Sequence, residues 1–115
     1  MLPATSSLET EHQGAIVPEL QDAVSEAHTA RMQGEGIINA WDDPAFAAAC
    51  HVTGKRNFAL GGVATDVCAA PAAISAVTHG YNVKLVGDAC GSRTMLADAA
   101  VLDGLMSAGV PLMST

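Results

Sequence analysis

The stretch Arg56–Ala89, "RNFALGGVATDVCAAPAAISAVTHGYNVKLVGDA", decides the architecture of this 115-residue chain. Its first part, "RNFALGGV", is a short apolar run led by the basic pair Lys55 and Arg56, a buried-strand signal. Its middle, "DVCAAPAAISAVTHG", is rich in alanine and closes on His79 and Gly80. Histidine suits the negative end of a helix, and glycine suits the left-handed residue that follows, so the segment reads as a helix. "YNVKLVGDA" then predicts a second strand. Strand, helix and strand with glycine-marked joints make a βαβ unit, whose strands are parallel.

The same alternation continues on both sides. Upstream, "DDPAFAAACHVTG" has Asp42 or Asp43 as N-cap, Pro44 at the first helical position and Gly54 as its stop. Downstream, "SRTMLADAAVLDGLMSAG" places Met95, Leu96, Ala99, Leu102, Leu105 and Met106 at the three-and-four spacing of one buried helical face. It ends at Gly109, and "VPLMS" starts a third strand. The first 42 residues are less regular. "LPATSS" reads as the end of a strand, "VPELQDAVSEA" as a brief helix with Pro18 first, and "RMQGEGI" as a loop by its glycines. The fold class is α/β.

Half of the residues are hydrophobic but few are aromatic, so the core must be built from small aliphatic side chains in close helix-on-sheet layers. The balance of 12 acidic against 5 basic residues argues against nucleic acid and anionic membranes as partners. No apolar run approaches the roughly 20 residues of a membrane span. The N-terminal segment lacks the basic and apolar regions of a signal peptide. Three cysteines without a CxxC pair read as reduced thiols of a cytoplasmic protein, not as a disulfide frame or a zinc site. His12, His28, His51 and His79 have no metal-ligand spacing, and no phosphate-loop pattern is present.

Ligands of an open parallel sheet bind beyond the carboxyl ends of its strands, where Val63 to Cys68 follow the first clear strand. A helix beginning near Asp66 puts Cys68 in its first turn. Unpaired N–H groups and the helix dipole there stabilise a thiolate and can hold an oxyanion. From position alone, Cys68 is equally readable as a packed thiol or as a nucleophile. Cys50, inside an alanine-rich helix, reads as core, and Cys90 as a small residue in a tight turn at another strand end. The Met95 and Met106 stripe reads as core.

"INAWDDPAF", "GGVATDVCAAPAAISAVTHGYNV" and "GDACGSRTMLADAAVLDGLMSAGVPLM" together resemble the isochorismatase-like cysteine hydrolases, from "LPATSSLET" near the start to "PLMST". The similarity is greatest to an uncharacterised hydrolase branch of that superfamily, beside nicotinamidases and N-carbamoylsarcosine amidases. It implies a three-layer, Rossmann-like α/β/α sandwich on a parallel sheet, with residues 1–115 as a single incomplete domain. It also implies that Cys68 is the nucleophile and that a cis peptide joins Val63 to Ala64. Backbone N–H groups near Ala64 and Cys68 would form the oxyanion hole. The basic member of the family's triad matches Arg31, and Asn39 and Trp41 fall where substrate is bound, although Trp41 is equally a packing anchor. The acid of the triad has no counterpart in these residues.

The resemblance therefore implies a hydrolase that cleaves an amide-like C–N bond of a small molecule through a covalent Cys68 intermediate. It needs no cofactor or metal, and its subunits form a homo-oligomer. Two other readings stand beside it. One is a truncated, non-catalytic α/β unit that acts through oligomer assembly. The other is a nucleotide- or flavin-binding module, which rests on fold analogy alone.

Overall fold

The computed structural model describes residues 4–5, 15–33 and 36–115, so His12 and residues 34–35 of the expected loop lie outside the described residues. Two compact units divide the chain, Met1–Val52 and Thr53–Thr115.

In the first unit, β1 (Ala4–Thr5) pairs in parallel with β2 (Met32–Gln33), Ala4 opposite Met32. β2 corrects the expectation of a loop over "RMQGEGI". A two-residue pairing is imposed by a partner far away in sequence, and no local pattern announces it. The expected brief helix is two, α1 (Pro18–Ala23) and α2 (Ser25–Thr29), broken at Val24, whose φ of −135° is not helical. Neither buries a residue, so no packing holds them in one continuous helix.

A single 3₁₀ turn, Ala40–Asp42, leads into α3 (Pro44–Val52). Of the two candidate caps, Asp43 caps α3: its Oδ1 accepts from the Ala45 N–H at 2.8 Å. Gly54, at φ +65°, follows the helix end in the left-handed conformation. The Trp41 and Phe46 rings meet edge to face, 5.5 Å apart at 88°. Cys50 is fully buried, as its place in an alanine-rich helix predicts.

The second unit is a parallel sheet in the order β3-β4-β5, formed by Asn57–Val63, Asn82–Gly91 and Leu112–Met113. A π turn at Thr65–Ala69 and helix α4 (Ala70–Thr78) connect β3 to β4; α5 (Met95–Ser107) connects β4 to β5. α4 turns Ala72, Ala73 and Ala76 into the core, where Val83 and Leu85 of β4 are buried as well. Side chains this small let the helix lie close on its strand. Val83 and Leu85 each contribute roughly 1.5–3 kcal/mol by leaving water. Phe58 and Tyr81 close one end of this core edge to face, with centroids 5.0 Å apart.

β3 is half-buried and not fully enclosed: Phe58 and Leu60 are partly covered, while Ala59 and Val63 on the other face are exposed. The β3–β4 register runs evenly from Asn57 opposite Asn82 to Leu60 opposite Leu85, then shifts. Gly62 faces Cys90, so β3 advances from 60 to 62 while β4 advances from 85 to 90. Within this excursion Leu85 and Val86 pair with Leu112 and Met113 of β5. Gly61 lies against its far end, where a Cβ would stand 3.2 Å from both Cβ and the carbonyl oxygen of Ala89.

α5 begins where expected, with the Thr94 hydroxyl accepting from the Ala97 N–H at 3.1 Å. Its buried face is the expected one only at Leu102 and Leu105. Leu105 is enclosed and Asp98, Val101 and Leu102 are half-buried beside it, whereas Met95 and Met106 are 91% and 61% exposed. Leu96 and Ala99 are exposed too. α5 rests on α4 and the π turn, and this contact rotates the inward face toward Asp98 and Leu105. Periodicity alone ranks the methionines with the core because it counts apolarity, whereas the packing geometry selects a neighbouring stripe that includes a carboxylate.

Candidate active site

The Val63–Ala64 peptide bond is cis, and it leads directly into the turn that carries Cys68. That turn, Thr65–Ala69, is a π helix and not the first turn of an α-helix. Two of its N–H groups share one acceptor: Cys68 and Ala69 both donate to the Ala64 carbonyl, at 2.9 and 3.2 Å. The Cys68 N–H is therefore engaged inside the turn, which corrects the expectation that it stands unpaired at a helix start. Cys68 itself is half-buried, at the carboxyl end of β3, where parallel sheets present their chemistry.

The turn is tied from outside by the junction between β4 and α5. The Ser92 hydroxyl donates to Asp66 Oδ1 at 3.0 Å and accepts from the Asp66 N–H at 3.4 Å. The Thr65 and Ser92 hydroxyls beside Asp98, Thr65 foremost, hold the Asp98 carboxyl below its usual range. Thr65 is wholly buried, and neither its Oγ1 nor the buried Asp98 Oδ1 has a hydrogen-bond partner among the described residues. Thr65 and Asp66 fall within the Val63–Cys68 strand end that the sequence marks, but no pairing of their side chains with Ser92 or Asp98 is legible there. Asp66 and Ser92 are 26 positions apart, and only the β3–β4 crossover brings them together.

Cys90 is not in a tight turn but in β4, opposite Gly62; burial pushes its thiol up from the ordinary range. Burial raises the Cys50 thiol as well. His79 caps the end of α4 with its Nδ1 2.7 Å from the Ser75 carbonyl oxygen, the helix-end role expected of it. Asp88 binds Thr115 through the backbone N–H, at 3.0 Å to each oxygen, and through its hydroxyl at 2.7 Å, and these bonds hold the carboxyl low.

The structure places Cys68 and Ala64 together in the second unit, and Arg31, Asn39 and Trp41 in the first. Arg31 Nη1 donates to the His28 carbonyl at 2.8 Å. The Asn39 side chain accepts from the Trp41 N–H at 3.2 Å and so caps the 3₁₀ turn, while Trp41 is buried. Both residues thus carry local structure.

A cavity of about 760 Å³ opens at the amino ends of the strands, bounded by Asn57, Tyr81, Asn82, Gly109 and Pro111. It lies at the opposite end of the sheet from Cys68, so it is not the seat of this chemistry. Among the described residues no three His, Cys, Asp or Glu side chains converge as metal ligands. No described helix is long and apolar enough to cross a membrane.

Known proteins share this arrangement. "Probable hydrolase YcaC" of Escherichia coli (strain K12) is 38% identical over 110 residues, which are 96% of this chain and 52% of that protein. The crystal structure of the Escherichia coli YcaC product superposes with a TM-score of 0.89 at 36% identity, covering 98% of this chain and 54% of that one. YcaC from Pseudomonas aeruginosa matches equally well, with a TM-score of 0.89 at 35% identity over 98% of this chain and 55% of its own. The chain thus spans about half the length of these relatives. The family model of the isochorismatase domain matches residues 4–115, and with this fold around Cys68 the chain belongs to the isochorismatase family of hydrolases.

Proposed function

We propose that Cys68 is the nucleophile of a hydrolase acting on an amide-like C–N bond of a small molecule. The observation that carries this reading is the seat of Cys68: a half-buried thiol on a π turn, directly after the cis Val63–Ala64 bond, at the carboxyl end of a parallel strand. The sulfur attacks the carbonyl carbon, a C–S bond forms and the carbonyl π pair moves onto oxygen. Collapse of that intermediate expels the nitrogen, which takes a proton, and water then cleaves the thioester to return the thiol. Ala64 and Cys68 N–H groups hold the oxyanion, the latter shared with its bond to the Ala64 carbonyl.

The family resemblance assigns the basic role to Arg31 and the substrate-bordering role to Asn39 and Trp41, all three in the first unit. The proton carrier of these steps is the acid of the family's triad, for which the resemblance identifies no counterpart among these residues. Two comparisons support the reading. The Pseudomonas aeruginosa YcaC structure contains covalent acrylamide, a thiol-reactive electrophile that bears an amide. Escherichia coli YcaC is an octameric hydrolase, which supports a homo-oligomer here, with Met95 and Leu96 outward on α5.

Iodoacetamide labelling near neutral pH, read by peptide mapping, tests the nucleophile. Cys68 is expected to react faster than Cys50 and Cys90. Equal or slower labelling of Cys68 rejects the proposal.

A further inference from the structure

We propose that the β4–α5 junction holds the Cys68 turn in its reactive geometry, Ser92 acting through Asp66 and Asp98 through Thr65, which makes all four positioning residues. The inference rests on the reading of Cys68 as nucleophile. π turns are rare, occur mostly as single turns within α-helices, and are frequent at functional sites. Here Cys68 and Ala69 donate to the Ala64 carbonyl and Ala70 to that of Thr65, while the Asp66 N–H at the start of the turn is taken up by another element.

Ser92 fixes it at two points of one residue, the N–H and the carboxylate of Asp66. Such a pair of bonds sets both the position and the orientation of the peptide two residues before Cys68. Thr65 is the next contact. A valine would fill the same buried space without an unpaired hydroxyl, and buried polar groups are ordinarily satisfied. A hydroxyl retained there, on the turn against which α5 packs and with an unpartnered buried oxygen of Asp98 on that helix, points to a role beyond filling volume. Asp98 in turn is seated in the first turn of α5, whose start is secured by the Thr94 cap. The chain of contacts thus runs from a capped helix, through two hydroxyls, to the turn bearing the thiol.

Two electrophiles separate position from intrinsic thiol reactivity. Acrylamide forms a C–S bond at its terminal carbon, its C=C pair shifts toward the amide oxygen, and water returns a proton to the adjacent carbon. Its rate therefore depends on donors aligned with that oxygen. Methyl methanethiosulfonate has no carbonyl; the thiolate displaces methanesulfinate from its sulfur, and this rate reports the thiol alone. Both rates are measured at Cys68 by peptide mapping in the full chain and in Ser92→Ala, Thr65→Val and Asp98→Asn. The ratio of acrylamide to thiosulfonate rates is expected to fall about tenfold or more in each variant. Ser92→Thr and Thr65→Ser should restore most of it. Cys50 and Cys90 should label as in the parent chain, whereas a merely loosened fold would speed both.

An unchanged ratio in the three variants, with Cys68 of the parent chain still faster than Cys90, overturns the positioning role and leaves the nucleophile standing. A parent Cys68 no faster than Cys90 overturns both. Should Ser92→Ala fail to fold, Thr65→Val and Asp98→Asn decide the outcome.

Discussion

Leu105 and Met106 are neighbours in α5 and carry side chains of nearly equal hydrophobic content, yet one is 1% exposed and the other 61%. Truncating each to alanine therefore separates burial from composition. Leu105→Ala removes three carbons from a closed site on the face of α5 that packs against α4 and the π turn. At about 0.8 kcal/mol per buried methylene the transfer loss is roughly 2.4 kcal/mol. A residual cavity adds about 24 cal/mol per Å³, which puts the total at roughly 2.5–5 kcal/mol. Met106→Ala removes a side chain already mostly in water and should change stability by less than about 0.5 kcal/mol. Urea unfolding followed by far-ultraviolet circular dichroism reads the difference. With a slope of about 1–3 kcal/mol per molar, the Leu105→Ala midpoint should fall by roughly 1 M or more at unchanged slope, and the Met106→Ala midpoint should barely move. Equal losses in the two variants, unaltered on dilution, would refute the assignment of the inward face to the Asp98–Leu105 stripe.

Other consequences follow from single contacts. Gly61→Ala places a methyl group 3.2 Å from Ala89, and the overpacking should cost about 1–3 kcal/mol in the same urea assay; a neutral result would mean that the β4 excursion yields freely. Asp88 has its carboxyl held low by Thr115, so its contribution to stability is present above the unfolded carboxylate range and is lost as pH falls through the lower folded value. Thr115→Ala should flatten that acid limb of a stability–pH curve, and an unaltered limb would exclude the contact as its source. Burial raises the Cys50 thiol, so the unfolded chain loses this proton first and stability should fall as pH rises above about 8.5. Cys50→Ala should remove that alkaline slope, and a slope of the same size in the variant would assign it elsewhere.

Local chemistry settled much of this molecule in advance. Proline at the start of α3, an acidic cap before it and glycine after it mark the helix whether or not anything packs on it. The alanine-rich α4 between two apolar runs is enough to specify a parallel βαβ unit, since the alternation itself requires a crossover. Cys68 was legible as a candidate for the same reason: it follows a strand and precedes a helix, and both signals lie within a few residues of it. What tertiary structure alone decided are the contacts between distant segments. The register shift sets Cys90 opposite Gly62, and the packing of α5 exposes Met95 and Met106 while turning Asp98 inward. The crossover joins Asp66 to Ser92, and the turn seats the Cys68 N–H on the Ala64 carbonyl. Periodicity and capping report how each segment satisfies itself, whereas the setting of the Cys68 turn depends on the hydroxyl that a distant segment delivers beside it.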